Sequence, residues 1–466
     1  MSFPTRHLLA CFALIGATSV PAAAEISAFD PLATGAMTPL RPSPQLASRV
    51  GSAPCTNELP AQALSAMDAV DLALCNHPQT REVWAAARAQ AALVGVARSA
   101  WLPDLDARLA ASRNANETRT FNQSNASLTL SWLVYDFGQR SANITNAREL
   151  LGAAAATQDA TVQSLFLAAL QAYYNAQATR AAVAATGEAE RAARESFSAA
   201  EARYSVGVAT PADRLQAQTA LSQATLNRIK AEGEARNALG ALANALGFAA
   251  NQPLNLAPPP ELPAERRLQG DLDALIAAAR AARPDLKAAE AQLRAAEASV
   301  DLTRAQGRPT LSFSTGPAWQ DQAGVVTNTG SVGLSLAVPI FSGFETHYRV
   351  RSAAAQAEVR AAQRDKLQNQ VALDVWKAYQ NLTTATQSLQ STADLLASAE
   401  QSAKVALGRY KAGVGNVLDL LSAQSALAAA RLQRIQAELD WHVFRAALAQ
   451  AMGALDYTLL QGKPQE

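Results

Sequence analysis

Few side chains in this sequence of 466 residues are of a type and spacing that could do chemistry. Once an N-terminal leader is set aside, three histidines remain, His77, His347 and His442, widely separated along the chain. The sequence contains no His-Glu-x-x-His, no phosphate-cradling loop ending in Gly-Lys-Ser/Thr and no Gly-x-Ser-x-Gly. The arrangements that would supply a zinc-bound water, a nucleotide site or an activated serine are therefore missing, and the expectation is a protein that is not an enzyme and needs no cofactor or metal. Of the three cysteines, Cys11 falls in the leader, which leaves Cys55 and Cys75 in an oxidising compartment. The pair is predicted to form a disulfide, whose loop of about 20 residues contributes on the order of 3 kcal/mol. His77 beside Cys75 is too small a donor set for a metal.

The leader has a weakly basic start (Arg6, His7), an apolar run from Leu8 to Ala17, and Ala22-Ala23-Ala24 before Glu25. Residues 1–24 thus read as a secretory signal cleaved after Ala24. Lys and Arg number 40 against 39 Asp and Glu, a net charge of +1, so no electrostatic footprint for nucleic acid is expected. No later run of apolar residues is long enough for a transmembrane helix. Residues 25–60 hold Pro31, Pro39, Pro42, Pro44, Pro54 and Pro60, which predicts an extension lying along the body or mobile, not a domain.

From residue 61 the chain is written twice. Pro78 and Pro284, Pro103 and Pro309, Tyr173 and Tyr379, Asn175 and Asn381, Tyr204 and Tyr410, Gly207 and Gly413, and Gly247 and Gly453 all recur at a spacing of about 206 residues. Gly138 and Gly343 miss that spacing by one residue, which puts a small indel near the strands. The repeats occupy residues 61–250 and 271–457, joined by a Pro-rich linker, 251–270, and followed by a tail, 458–466. Each reads short helix, medium helix, two strands, long helix, turn, medium helix.

The longest helix is predicted from Glu345 to Lys411, a stretch without proline that at ~1.5 Å per residue is roughly 100 Å long. Val375, Leu382, Leu389, Leu396, Ala403 and Tyr410 recur every seventh residue, a coiled-coil seam. The two medium helices of a repeat, placed end to end, match one long helix and are expected to flank it. Strands are predicted over Asp104 to Ser112, Ala126 to Tyr135, Thr310 to Trp319 and Thr329 to Val338. Leu128, Leu130, Trp132 and Val134 alternate with Ser127, Thr129, Ser131 and Leu133, the pattern of a transmembrane barrel with its apolar face in lipid. Alternation alone also suits a soluble sheet packed on helices. Four strands cannot close on themselves and open edges cannot face lipid, so three copies and twelve strands are expected.

The joins Trp132-Leu133-Val134-Tyr135-Asp136-Phe137-Gly138 and Val338-Pro339-Ile340-Phe341-Ser342-Gly343, with the tips Tyr204-Ser205-Val206-Gly207 and Tyr410-Lys411-Ala412-Gly413, resemble those of the TolC-like outer-membrane efflux proteins. With the Cys55/Cys75 pair, Ala73-Leu74-Cys75-Asn76-His77-Pro78-Gln79-Thr80-Arg81 resembles the branch that serves type I secretion of toxins such as adenylate cyclase-haemolysin. The resemblance implies a mainly α protein with a transmembrane β-barrel: a homotrimer with a 12-stranded barrel in outer-membrane lipid and a long α-helical barrel in the periplasm. It implies passive conduction from an inner-membrane transporter, of ABC type, and a periplasmic adaptor to the exterior. The alternatives are a multidrug or small-molecule efflux duct and a structural coiled-coil envelope protein.

The resemblance further implies adaptor contacts through Val206, Gly207, Val208, Ala412, Gly413 and Val414, and a periplasmic gate at Tyr410, Asp213 and Asp419. Gly415 stands where the family can carry a gating Arg, and Ser422 where it can carry a second inward Asp. The closed state is therefore expected to rest on packing and a Tyr410 to Asp213 hydrogen bond, with Asp419 forming a ring of three carboxylates. Thr210-Pro211-Ala212-Asp213 reads equally as an N-cap, an N1 proline and a first-turn carboxylate.

Overall fold

The computed structural model describes residues 30–39, 62–115, 119–258 and 271–455. The first helices begin where the sequence supplies a start signal. In α1 (Ala66–Asn76) Ser65 and Asp68 form a capping box. In α2 (Pro78–Ser99) the His77 ring accepts from the amide of Gln79 and proline occupies the first turn. The strands β1 (Asp104–Ala115) and β2 (Thr120–Tyr135) lead to the 67-residue α3 (Gln139–Ser205), and α4 (Pro211–Ala245) closes the first repeat. The second repeats the order as α5 (Leu272–Ala282), α6 (Pro284–Gln306), β3 (Thr310–Gln322), β4 (Val325–Ala337), α7 (Glu345–Lys411) and α8 (Val417–Ala451). At ~1.5 Å per residue both long helices run about 100 Å.

The strands and the six longer helices form a stave, and the short helices α1 and α5 pack on α3 and α7. Near the sheet the helices neighbour one another in the order α2, α3, α6, α7, and towards the tips in the order α4, α3, α8, α7. As the lengths predicted, α2 and α4 together flank α3, and α6 and α8 flank α7. One long edge of the stave is thus β1, α2 and α4, and the other is β4 and α7, since the antiparallel sheet runs β1-β2-β3-β4. The predicted seam is the buried line of α7: Val375, Leu382, Leu389, Ala403 and Tyr410 are all buried.

The glycines that end α4 and α8 tie each repeat to its own beginning. Gly247 (φ 81°) and Gly453 (φ 72°) adopt the left-handed conformation. A Cβ on Gly247 would lie 2.9 Å from the Asn76 carbonyl carbon, and one on Gly453 would lie 2.9 Å from the Arg283 amide. The α1–α2 and α5–α6 corners therefore rest on bare backbone.

Of the N-terminal extension, residues 30–39 lie along α2, where Arg98 donates to the Leu32 carbonyl at 3.0 Å and the Trp84 indole N–H to the Pro39 carbonyl at 3.3 Å. Cys75 is disulfide-bonded. Its predicted partner Cys55 lies outside the described residues, as do the signal 1–24, most of the linker and the tail 458–466.

The strands run further than the sequence pattern suggested, to Ala115 and Gln322, and from Thr120 and Val325. Apolar alternation stops short of these ends, but backbone pairing continues through polar residues, where Asn114 donates to Gln123 at 3.1 Å. Ala323 (φ 56°) and Gly324 (φ 87°) make the tight β3–β4 turn.

Candidate functional site

The register sorts the sheet into two faces. Leu105 pairs with Leu130, Trp132 with Phe313, and Phe313 with Leu334, an apolar face bounded at one end by Trp132 and Tyr135 and towards the other by Trp319. On the opposite face Asp104 pairs with Ser131, Ser131 with Ser314 and Ser314 with Gly333. The apolar residues stand in solvent on the single chain: Leu105 is 63% exposed, Val332 79% and Leu334 67%. Such a face has no partner among the described residues, as lipid contact requires and a soluble sheet packed on helices does not. Among the described residues the outer edges of β1 and β4 have no strand partner.

At the far end of the helices, Gly207 (φ 79°) and Gly413 (φ 80°) turn the chain in the left-handed conformation. The Val208 amide donates to the Arg203 carbonyl at 2.9 Å and the Val414 amide to the Arg409 carbonyl at 3.1 Å, which closes both helix ends. The turns therefore present Val206, Val208 and Val414, each at least 70% exposed, beside exposed Ala412.

The residues predicted to form a gate are placed apart. Tyr410 is buried against Val417 and Leu420, with the Arg203 guanidinium 4.3 Å from its ring centre. Arg203 also donates to the Tyr410 carbonyl at 2.5 Å. Asp213 accepts from the Thr210 amide at 2.9 Å and hydroxyl at 2.8 Å, the N-cap arrangement that its sequence also allowed. The expected Tyr410–Asp213 hydrogen bond is not formed within the chain, because the tyrosine ring is turned into the core and the carboxylate closes its own helix. Asp419, in the first turn of α8, borders a cavity of about 320 Å³ with Ser402, Val405, Arg409 and Gly415. A Cβ on Gly415 would lie 2.9 Å from the Tyr410 amide, which explains locally why no longer side chain stands there.

Three interactions escaped the sequence reading. Arg203 had a signal, since Arg-Tyr occurs at both tips (Arg203-Tyr204, Arg409-Tyr410). Glu190 accepts from Thr225, Arg228 and Arg194, and these bonds, Thr225 foremost and then Arg228, hold its carboxyl below the usual range. His442 stacks on Tyr174 at 4.5 Å; burial, aided by Arg445, pushes the imidazole down to about 4. Tyr174 is pushed up to about 12, mainly by burial. The Glu190 bonds and the His442–Tyr174 stack hold helices together and face no common reaction centre. Among the described residues no cluster of His, Cys, Asp and Glu could hold a metal.

The profile of the family described as "Outer membrane efflux protein" matches residues 69–248 and 275–454. Protein CyaE of Bordetella pertussis is 34% identical over 412 residues, 86% of this chain and 86% of that relative. The alkaline protease secretion protein AprF of Pseudomonas aeruginosa is 27% identical over 300 residues, 63% of this chain and 62% of its own length. The solved Campylobacter jejuni CmeC outer membrane channel superposes with a TM-score of 0.74 at 19% identity, covering 86% of this chain and 87% of that one, a likeness of fold.

Proposed function

The chain belongs to the outer membrane efflux protein family, and from that premise we propose that it is the exit duct of a type I protein-secretion assembly. It is an outer-membrane channel with its helical part in the periplasm. On this reading three copies join edge to edge, β4 and α7 of one against β1, α2 and α4 of the next, into a barrel of twelve strands continued by a helical tube. The observation that carries the proposal is the four-stranded sheet with an apolar face, two unpaired edges and helices about 100 Å long leading away from it. Closing every edge is the condition for a sheet to sit in lipid.

The chain holds no sequence for a nucleotide site, so transport is driven by a partner: an inner-membrane transporter of ABC type, reached through a periplasmic adaptor. The exposed valines at Val206, Val208 and Val414, with Gly207, Ala412 and Gly413, are the proposed adaptor contact. Asp419 with Tyr410 and Asp213 belongs to the proposed gate, now through packing and a carboxylate ring, without a bond between the last two. Protein cargo is favoured by the likeness to AprF, whose name states protease secretion. A small-molecule efflux duct is the second reading, favoured by the family's description.

The test is to delete the gene and follow both the culture supernatant and drug susceptibility. Loss of a secreted protein with unchanged susceptibility is expected; the reverse outcome selects small-molecule efflux. Detergent-extracted protein is expected to run as a trimer, and monomeric protein freed from the periplasm without detergent overturns the channel reading. For the gate, Asp419→Asn is expected to weaken cation selectivity in planar bilayers, and unchanged selectivity removes Asp419 from it.

A further inference from the structure

The repeat makes the structure of one chain informative about the contact between two. Within the chain, the tip half of the first repeat is covered by the second: α3 packs on α8, and at the tip Arg203 reaches Tyr410. Two of the side-chain contacts across this seam recur in type. Arg203 lies 4.3 Å from the Tyr410 ring centre and donates to its carbonyl, and the Ser196 hydroxyl lies 3.1 Å from the Gln424 side-chain oxygen and 3.0 Å from its nitrogen. When each partner is moved by one repeat, the types recur: Arg203 becomes Arg409, Tyr410 becomes Tyr204, Ser196 becomes Ser402 and Gln424 becomes Gln218.

These four counterparts do not meet one another within the chain. Arg409 and Ser402 sit on the open side of α7, bordering the cavity of about 320 Å³, whereas Tyr204 and Gln218 sit at the opposite edge of the stave. Exposure separates the two sets. Tyr410 is 4% exposed and Ser196 3%, but Tyr204 is 38% exposed and Ser402, Arg409 and Gln218 are all exposed. The same holds for their apolar neighbours: Leu421 is packed into the tip cluster while Leu215, its first-repeat counterpart, is 57% exposed.

We propose that the α7 tip cavity is the seat for the next copy of this chain, whose Tyr204 comes under Arg409 and whose Gln218 pairs with Ser402, in the same geometry as Arg203–Tyr410 and Ser196–Gln424. This deepens the trimeric reading and rests on it. A ring of six repeats, two from each of three chains, then has the same two contacts at every seam, three inside chains and three between them. The closed rotation makes the three between-chain seams alike, and the internal repeat matches them to the three inside. Not every contact is duplicated. The Arg431–Glu188 pair at 2.6 Å inside the chain maps onto Thr225 and Asp394, so the seams between copies lack that ion pair. The between-chain seams are therefore the weaker ones and the ones that part first.

Full-length protein in outer membranes is the material for the test. Paired cysteines at Ser402 and Gln218, treated with a short bifunctional thiol reagent, are expected to yield covalent trimers. The pair at Ser196 and Gln424 is expected to yield only internally linked monomers. A Ser402/Gln218 pair that cross-links within chains, or stays unlinked while the Ser196/Gln424 pair reacts, overturns the proposal. Single-channel recording keeps the two readings apart, since protein that inserts as channels but fails to cross-link between copies sinks this contact and leaves the channel standing. Should the paired variant fail to assemble, Arg409→Gln is the second arm. It is expected to raise resting conductance several-fold with Tyr204→Leu adding nothing further, and fully additive effects of the two substitutions overturn the contact.

Discussion

The two strand-to-helix joins occupy the same place in the two repeats and are built in opposite ways. At the first, Asp136 and Arg140 are almost fully buried, with Nε to Oδ2 at 3.0 Å. Arg140 also donates to the carbonyls of Ala100 and Val134 and lies 4.2 Å from the Trp101 ring centre. At the second, Phe341 and Glu345 stand in those places, and Ile340, Phe341 and Phe344 are 93%, 76% and 64% exposed. The first join leaves β2, an inner strand closed on both sides by its own chain, so a buried ion pair with all its hydrogen bonds can lock it. The second leaves β4, an edge strand, and its apolar surface is what another copy or lipid would cover. Duplication kept the topology and let the chemistry follow the surroundings.

The most damaging way to break this contrast is Asp136→Ala. It leaves the Arg140 guanidinium buried without its carboxylate, a loss of about 3 to 5 kcal/mol. The expected result is little assembled channel in the outer membrane. Phe341→Ala removes mostly surface that one chain leaves bare, with one edge-on contact to Phe344, so it is expected to spare the fold of the chain and lower trimer yield. Equal loss of folded chain from both substitutions would show that the second join is as closed as the first.

A smaller effect sharpens the two faces of the sheet. Leu130→Arg or Leu334→Arg puts a charge on the apolar face and is expected to cost roughly 2 to 4 kcal/mol near mid-bilayer. Ser131→Arg or Ser335→Arg, on the other face, should be milder. The thermal stability of the trimer in detergent reads the difference, and equal damage on both faces refutes the assignment.

Acid should also distinguish the repeats. His442 is held at about 4 by burial, while its counterpart one repeat earlier, Arg236, is exposed. The folded value lies below the ordinary 6.5, so the unfolded chain takes the proton first. The stacked, neutral imidazole thus contributes fully above pH 6.5 and loses its contribution as pH falls through 4, by at most about 3 kcal/mol. His442→Phe is expected to flatten that acid limb of a stability–pH curve, and Arg236→Phe to leave it unchanged.

Much of this was legible before the structure. Proline and glycine at matched positions mark the element order, period seven marks the α7 seam and period two the faces of the strands. What stayed hidden depended on direction in space. Nearness of Tyr410 and Asp213 to the tips said nothing of which way either points, and within the chain the predicted bond is not made, because the ring faces Arg203 and the carboxylate faces Thr210. The upper strand ends were hidden because Asn, Gln and Thr continue the ladder without an apolar alternation. Docking of residues 30–39 was open in a Pro-rich stretch, since it rests on single long-range contacts from Arg98 and Trp84.

The smallest expected effect tests where the two repeats are most alike. Gly207 and Gly413 have φ of 79° and 80°, and a Cβ on either would meet nothing within 4 Å. Alanine therefore brings only the backbone strain of the left-handed conformation, about 1 to 2 kcal/mol, and the same at both tips. Gly207→Ala and Gly413→Ala are expected to lower the trimer's melting temperature equally. Their effects on secretion need not match, because a docked adaptor would meet the added methyl group and the isolated channel would not. Equal melting with unequal secretion locates a partner at the more sensitive tip, whereas unequal melting of the purified channel means that neighbouring copies, and no external protein, press on one of these turns.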